Sequence, residues 1–224
     1  MKHISCLVLF FVLEAFCSAA AQKTAVFNWT DPASLTPAFS APDANNRYGE
    51  YVGGTVFGGD GATFSVDDSG VSEQSRRARF LFNYTTRTVE LRAYLDSDIV
   101  IRAAEGRTLS TIVLEGPETD EYYISMTEPA EGVVYTPAAD YMTGTWTLPA
   151  GTVEARLQVR VRMECTRARI TTADQAAVDA ITADANNAPA VWFTLQGIPL
   201  PSAPTVPGLY LRRSGSDTRR ILIP

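Results

Sequence analysis

Histidine is almost missing from this chain, and cysteine is scarce. The 224 residues include one histidine, His3, and three cysteines, Cys6, Cys17 and Cys165. His3 lies in a segment that we expect to be removed, as argued below. Without it, serine–histidine–aspartate catalysis, cysteine–histidine catalysis and histidine-ligated zinc or iron sites are excluded.

Positive charge is also in short supply. The chain has 19 lysines and arginines against 25 acidic residues, which gives a net charge of −6. Proteins that bind nucleic acid gain affinity when lysine and arginine displace counterions from phosphates. The sequence therefore predicts no nucleic-acid partner. Its 46% hydrophobic content is ordinary, and a chain of this length buries roughly 70% of its unfolded surface, which is enough for a core.

The first residues have the layout of a secretory signal peptide. A positive start at Lys2 is followed by an unbroken apolar run over residues 7–13 and by three alanines at 19–21. The apolar run is too short to cross a bilayer, so we expect no transmembrane span in the mature chain. We expect residues 1–21 to be removed and the protein to be exported, to the extracellular space or the outer cell surface. Lipid attachment at Cys17 is the alternative.

Removal of this segment takes away one base, one acid, the histidine and two of the three cysteines. The net charge stays at −6, and Cys165 remains as a single thiol. An intrachain disulfide is then excluded, although the exported compartment would permit one. Because Cys165 continues the apolar alternation of Met163, we expect it to be buried and unreactive.

Alternation of apolar and polar residues dominates the mature chain. It is clearest over residues 153–164, where every second residue is apolar and Arg156, Arg160 and Arg162 lie on the other side. The pattern changes phase after Cys165, which indicates a turn or bulge. Weaker strands are predicted at residues 25–29, 63–66, 79–84, 89–95, 99–103, 108–114, 122–126, 144–148, 191–195, 209–212 and 219–223. Turn residues separate them at intervals of about 8–12 residues, which favours an all-β sandwich or barrel.

The composition changes near residue 190, where a second unit is expected after a linker with a short strand at 177–181. Its residues form a recognisable pattern of an aromatic turn, a tyrosine-containing strand and a basic pair before a final aliphatic strand. The pattern consists of Trp192, Phe193, Thr194, Leu195, Gln196 and Gly197, then Pro207, Gly208, Leu209, Tyr210 and Leu211, then Gly215, and finally Arg219, Arg220, Ile221, Leu222 and Ile223.

This pattern resembles the C-terminal sorting domain of type IX secretion substrates of Bacteroidetes. The resemblance implies that residues 176–224 form a small immunoglobulin-like β-sandwich. It also implies that the secretion machinery recognises this unit, directs the protein across the outer membrane and often removes the unit afterwards. The alternative is that these residues are a terminal β-hairpin of the main domain.

Residues 22–175 resemble secreted Bacteroidetes proteins with a jelly-roll-like antiparallel β-sandwich. The resemblance rests on three stretches: 26–37 with Val26-Phe27-Asn28-Trp29, 90–94 with Glu90-Leu91-Arg92-Ala93-Tyr94, and 144–147 with Gly144-Thr145-Trp146-Thr147. Several relatives of that group lie near polysaccharide-utilisation machinery or act as surface adhesins. The group has no defined catalytic residues, so none is carried over to this chain.

Acidic residues are the remaining candidates for acid–base or metal chemistry. Six of them lie between residues 115 and 131 with no lysine or arginine among them: Glu115, Glu118, Asp120, Glu121, Glu128 and Glu131. Solvated hairpin ends explain them most simply. A calcium site and a pair of catalytic carboxyls are the alternatives. No other cofactor is indicated.

Tyrosines offer a second kind of site, because a rigid ring stacks well on the apolar face of a sugar. The candidates are Tyr48, Tyr51, Tyr122, Tyr123 and Tyr141, with Tyr135 nearby. In the Tyr122-Tyr123 pair, neighbouring side chains must point to opposite faces, so one is expected in the core. Trp29 and Trp146 are expected in the core as well. The three arginines of the long strand either pair with the flanking glutamates or receive an anionic polymer.

The sequence therefore predicts an exported, non-catalytic binding module on the cell surface or in the medium, with a glycan as its partner. A structural or adhesin-type component with a surface protein as its partner is the first alternative. A carboxylate-dependent glycan-cleaving enzyme is the second.

Overall fold

The computed structural model describes residues 21–175, 191–195, 197–214 and 217–223. The elements bounded within these ranges are strands and two short 3-10 helices, η1 (Pro32–Ser34) and η2 (Gln74–Arg76), which confirms the all-β fold class. The strands are β1 (Lys23–Asn28), β2 (Tyr48–Tyr51), β3 (Val56–Gly58), β4 (Ala62–Asp67), β5 (Arg79–Asn83), β6 (Thr88–Tyr94), β7 (Asp98–Ala103), β8 (Arg107–Glu115), β9 (Ile124–Glu128), β10 (Val134–Pro137), β11 (Thr143–Thr147), β12 (Glu154–Val159), β13 (Arg162–Cys165), β14 (Arg167–Asp174), β15 (Val191–Phe193), β16 (Pro199–Leu200), β17 (Gly208–Ser214) and β18 (Asp217–Ile223).

Three antiparallel sheets make up residues 21–175. Sheet A has the strand order β1-β14-β8-β11-β10, sheet B has β13-β6-β5-β2, and sheet C has β3-β4-β7-β12-β9. The chain passes repeatedly from sheet C to sheet A, so that β7 pairs with β12 in sheet C while β8 pairs with β11 in sheet A. Strands β9 and β10 continue the same two sheets beside β12 and β11. This nested pairing of two hairpins is the pattern of a jelly roll.

Sheets B and C share one long strand pair. Residues 88–103 supply β6 and β7, and residues 154–165 supply β12 and β13. The register is the same on both sides of the break, since Arg102 lies opposite Glu154 at one end and Leu91 lies opposite Cys165 at the other. Both strands bend at the same level, near Asp96 on one and Val161 on the other. This double bend creates a surface where sheets B and C meet.

The core is a single cluster of buried apolar residues from all three sheets. Its centre is aromatic: the ring of Trp29 lies 5.6 Å from Phe27, 4.9 Å from Phe64 and 5.1 Å from Phe57. Trp29 and Trp146 are fully buried, as predicted. Each large apolar side chain removed from water contributes about 1.5–3 kcal/mol, so this cluster is the main source of the body's stability.

The facing predicted for residues 153–164 is correct within β12 and β13 and wrong at Val153 and at the bend. Val153 was expected to face the core, but it precedes β12 and is 53% exposed. Ala155, Leu157 and Met163 are buried as the alternation requires. Val161 should also face the core, but it is 46% exposed, because the strand is divided into β12 and β13 around it. The change of phase after Cys165 is confirmed by the break between β13 and β14.

The described residues after 190 form one four-stranded antiparallel sheet, sheet D, with the order β16-β15-β17-β18. The long hairpin of β17 and β18 pairs Gly208 with Ile223 and Ser214 with Asp217. Of the immunoglobulin-like sandwich expected here, sheet D is the layer found among the described residues. The predicted strand at 177–181 lies outside them, and the domain bounds 22–175 and 176–224 stay a prediction. No helix in the described part of the chain is long and apolar enough to span a membrane.

Candidate functional site

The double bend turns two apolar side chains to the surface. Leu95 and Val161 are each 46% exposed, and the Leu95 amide donates a hydrogen bond to the Val161 carbonyl at 3.2 Å. Asp96 lies at the bend between β6 and β7 and has a φ of +70°. A cavity of about 530 Å³ opens here, which we call the bend cleft. It is lined by Arg76, Tyr94, Leu95, Glu118, Tyr122, Tyr123, Val161 and Arg162.

A tight turn before β9 presents Tyr122 and Tyr123 to the bend cleft. Asp120 holds this turn, because its Oδ1 accepts hydrogen bonds from the Tyr122 amide at 3.0 Å and the Tyr123 amide at 3.3 Å. The Tyr123 carbonyl accepts the amide of Arg160 at 2.8 Å, which ties the turn to the bend. Tyr122 is 72% exposed while Tyr123 packs on the core, so the predicted division of the pair is confirmed. Their rings meet edge to face at 5.1 Å.

A guanidinium–carboxylate pair forms the polar part of the bend cleft. Nε and Nη2 of Arg162 donate to the two carboxylate oxygens of Glu118, and Nε also lies 3.1 Å from Oε1 of Glu164. The hydrogen bonds to Glu118 raise the pKa of Arg162 above its ordinary value, although burial opposes this. The pair is fixed in place and offers both donors and acceptors to a ligand.

Behind this pair, an ion ladder runs into the protein through Arg92. Nη2 of Arg92 lies 2.5 Å from Oε1 of Glu90 and also contacts Glu164. All three side chains are buried. Burial, followed by the negative charge of Glu90, raises the pKa of Glu164. We use the name ion ladder for Glu90, Arg92, Glu164, Arg162 and Glu118. It fixes the orientation of Arg162 in the bend cleft.

The bend cleft combines aromatic, apolar and charged side chains. Glu118 is the one carboxylate among the described residues that line the bend cleft, and Arg162 engages both of its oxygens. An exposed ring, two apolar side chains and a fixed ion pair suit a ligand with apolar faces and polar edges.

The other predicted tyrosines lie on different surfaces. Tyr48 and Tyr51 are exposed together on β2, at the edge of sheet B, beside arginines of the same sheet. Tyr141 is exposed in the turn between β10 and β11, at a φ of +57°. It does not line the bend cleft, and it is not part of the Tyr48–Tyr51 pair. Tyr135 packs against Trp146, and its hydroxyl accepts the amide of Glu121 at 3.1 Å. The structure thus brings the candidates together in two pairs and leaves Tyr141 apart.

The acidic residues between 115 and 131 do not converge. Glu115 pairs with Arg169 at 2.9 Å, Glu118 pairs with Arg162, and Asp120 caps its own turn. These three are half-buried, so the solvated-loop interpretation fits only Glu121, Glu128 and Glu131, which are exposed. Within the described residues, no group of three acids, cysteines or histidines is placed to hold a metal ion.

The arginines of the long strand form the salt-bridged face that the sequence predicted. Arg156 pairs with Glu154 at 2.8 Å, and Arg162 pairs with Glu164. Arg160 donates instead to the hydroxyl of Ser125. Of the two interpretations offered for this stripe, the contacts favour the structural one.

The residues of the sorting pattern occupy the turn and hairpin of sheet D. Thr194 and Gly197 close the turn, with Gly197 at a φ of +80°, and Leu195 is exposed between them. Leu209 pairs with Leu222 across the β17–β18 hairpin. Other members of the pattern lie at the start of β17 and along β18: Pro207, Gly208, Tyr210, Arg219 and Arg220. Gln196 lies outside the described residues.

Sequence reasoning missed half of the residues that line the bend cleft: Arg76, Tyr94, Leu95 and Val161. The turn residues after Leu95 marked a strand end there, and this was the one available signal. Nothing in the alternation of residues 153–164 marks Val161 as exposed. Its exposure depends on the paired strand bending at the same level.

Comparisons with known proteins give no further guide to the site. No family model, curated protein or solved structure matches the chain at a significant level. Function is therefore proposed from the surfaces described above and from the sequence.

Proposed function

We propose that this protein is an exported, non-catalytic binding module that takes a glycan into the bend cleft. The observation that carries the proposal is the position of the exposed Tyr122 ring in one cavity with the Glu118–Arg162 pair. A sugar has an apolar face, which stacks on a ring, and a rim of hydroxyls, which accept from guanidinium and donate to carboxylate.

The state of the carboxylates supports binding without cleavage. Glycosidases use two carboxyl groups on either side of the scissile bond, and one of them must carry a proton. In the bend cleft, Glu118 is the one carboxylate among the described lining residues, and Arg162 contacts both of its oxygens. Glu164 is buried behind it, paired with Arg92 and Arg162.

Export is supported by the two ends of the chain. Residues 1–21 carry the signal-peptide layout, and residues 176–224 carry the pattern of a sorting domain. Sheet D and the connection before β17 expose several apolar side chains, among them Val206, Leu209 and Leu222, which a recognition partner would cover. We therefore assign delivery to the cell surface to this unit.

The adhesin alternative has less support. A protein partner that adds a strand needs a long free edge. The edge strands β2, β3, β9, β10 and β13 of residues 21–175 are three to five residues long, and β1 has six. Short edges are a common protection against such pairing.

The proposed binding activity is tested on a glycan array with protein that lacks residues 1–21. We expect binding to at least one polysaccharide class, with no release of reducing sugar from it. The absence of binding to every glycan on a broad array would contradict the proposal and favour a protein partner.

The proposed export is tested by mass spectrometry and truncation in the producing cell. Exported protein should yield no peptide from residues 1–21, and removal of residues 176–224 should leave folded protein inside the cell envelope. Retention of the leader, or unchanged delivery of the truncated chain, would count against export by this route.

A further inference from the structure

A second exposed surface lies on sheet B, away from the ligand space of the bend cleft. Tyrosines and arginines alternate there in the order Tyr51, Arg79, Tyr48, Arg47 and Tyr84, which we call the Tyr–Arg row. The guanidinium of Arg79 lies 4.4 Å from the ring centre of Tyr51 and 5.1 Å from that of Tyr48. The guanidinium of Arg47 lies 5.6 Å from Tyr48 and 5.2 Å from Tyr84.

Hydrogen bonds fix the row to the sheet. Nη2 of Arg79 donates to the Tyr51 hydroxyl at 2.9 Å and to the carbonyl of Ser75 at 2.8 Å. At the other end, the Tyr84 hydroxyl donates to the carbonyl of Ala44 at 3.2 Å. The guanidinium of Arg79 is therefore held in place before any ligand arrives, which reduces the entropy lost on binding.

The two arginines of the row differ from the others on the same sheet in having no acidic partner. Arg92 and Arg162 pair with glutamates. Among the described residues, neither Arg47 nor Arg79 forms an ion pair, and the buried Nε atom of each has no hydrogen-bond partner. Two adjacent guanidinium groups whose charge is uncompensated are unexpected in a protein with a net charge of −6.

A small hollow adjoins the row. It measures about 200 Å³ and is bordered by Tyr48, by the polar side chains of Ser40 and Asn46, and by the carboxylate of Glu50. The row also approaches the bend cleft through η2, because Ser75 contacts Arg79 while the next residue, Arg76, lines the cleft. Segment η2 therefore contacts both the row and the bend cleft.

The chemistry of the row selects an anionic ligand. The planar guanidinium fork fits the oxygens of carboxylates and related oxyanions. A nucleic acid is disfavoured, because the tyrosine rings are already stacked with guanidinium groups and two positive charges displace too few counterions to hold it at physiological salt. Polar side chains around the adjoining hollow fit the hydroxyls of a sugar.

We propose that the Tyr–Arg row binds the anionic groups, carboxylate or sulfate, of an acidic polysaccharide. This inference rests on the proposed function in one respect, that the ligand is a glycan, and it adds the charge class of that glycan. The row thereby acts as a second subsite beside the bend cleft.

The test measures the affinity of the protein without residues 1–21 at physiological salt. Polygalacturonate tests carboxylate, dextran sulfate tests sulfate, and uncharged dextran is the neutral control. We expect binding of at least one of the two anionic probes and no binding of dextran. The double variant Arg47→Gln/Arg79→Gln should weaken the anionic probe about tenfold, while Arg47→Lys/Arg79→Lys, which keeps the charge but loses the fork, should weaken it less.

A matched control is the double variant Arg77→Gln/Arg87→Gln, which removes the same charge from two exposed arginines outside the row. It should stay within about twofold of the wild type. Equal losses in the two double variants, no binding of either anionic probe, or equally tight binding of a single-stranded oligonucleotide would each overturn the proposal. Tyr122→Ala in the bend cleft separates the two proposals: a loss for Tyr122→Ala with none for Arg47→Gln/Arg79→Gln would overturn the row and keep the cleft, and the reverse result would keep the row and overturn the cleft.

Discussion

Cys165 illustrates how position alone sets the chemistry of a residue. It is fully buried at the end of β13, and burial raises the pKa of its thiol to about 12. In protein that lacks residues 1–21, we expect no reaction with a thiol reagent at pH 8 in the folded state. One equivalent should react in guanidinium chloride. Rapid labelling of the folded protein would mean that this part of the core opens.

The buried carboxyl of Glu164 makes the free energy of unfolding depend on pH. The surroundings of this carboxyl set the sign of that dependence. Burial and the neighbouring Glu90 raise its pKa, so the folded protein holds this proton at a higher pH than the unfolded chain does. The resulting stabilisation is fully present below the unfolded-state pKa and is lost as pH rises through the folded-state value. Relative to the wild type, Glu164→Gln should therefore become more stable as pH rises from about 4.5 towards 7. Urea unfolding at several pH values measures this.

Glu154 is the matched control for that series. Burial acts to raise its pKa, but hydrogen bonds from Arg102 and Arg156 outweigh burial and lower it. The stabilisation from Glu154 is present above the unfolded-state pKa and is lost as pH falls through the folded-state value. Glu154→Gln should thus shift the pH profile in the opposite direction and at lower pH. The same slope for both variants would contradict the assignment.

At the scale of elements, the turn after β8 depends on a glycine. Gly116 has a φ of +155°, and a Cβ there would lie 2.0 Å from the carbonyl oxygen of Glu164. Gly116→Ala should cost on the order of 3 kcal/mol of unfolding free energy from strain and overlap together. Because this turn leads to Glu118, the same change should weaken glycan binding.

Gly106 distinguishes backbone strain from steric overlap as the cause of the lost unfolding free energy. Its φ of +73° is also in the left-handed region, but nothing lies within 4 Å of the position that a Cβ would occupy there. Gly106→Ala should therefore cost only about 1 kcal/mol, from the backbone conformation alone. Equal losses in the two alanine variants, measured by urea unfolding, would show that close approach to β13 does not matter.

The sequence predicted the strands that alternate and missed those that do not. Strands such as β4 and β12 follow the alternation of apolar and polar residues closely, because one face meets the core. The missed strands β2 and β3 are short and lie among glycines, and β10 ends at a proline. They form because neighbouring strands offer free hydrogen-bonding groups, which is a property of the fold and not of the local sequence.

The sequence predicted the residue type of the candidate site, an exposed tyrosine, but not the position of the site in the fold. Exposed tyrosines were expected, and Tyr122 does line a cavity. Its polar companions Glu118 and Arg162 come together only because β13 ends near the turn after β8, and 44 residues separate them along the chain. Local alternation carries no information about such long-range pairing.

At the scale of the whole molecule, the buried cluster formed by the described residues lies entirely before residue 176. Every member of the buried cluster lies between Ala25 and Ile170, and the last described bond of this part joins the amide of Gln175 to the carbonyl of Gly106 at 3.0 Å. A chain of residues 22–175 should therefore unfold cooperatively, with a Tm within about 4 °C of that of the longer protein. Loss of the cooperative transition would mean that the later residues complete the core.

The central claim is that the bend cleft is the glycan-binding site of an exported module. Calorimetric titration with the best glycan from the array, into the wild type and into Tyr122→Ala, tests it most directly. Tyr141→Ala is the control, because Tyr141 is equally an exposed tyrosine in a turn but lies outside the cleft. We predict a loss of about tenfold or more for Tyr122→Ala and an unchanged Kd for Tyr141→Ala. Equal affinity of all three proteins would contradict the claim.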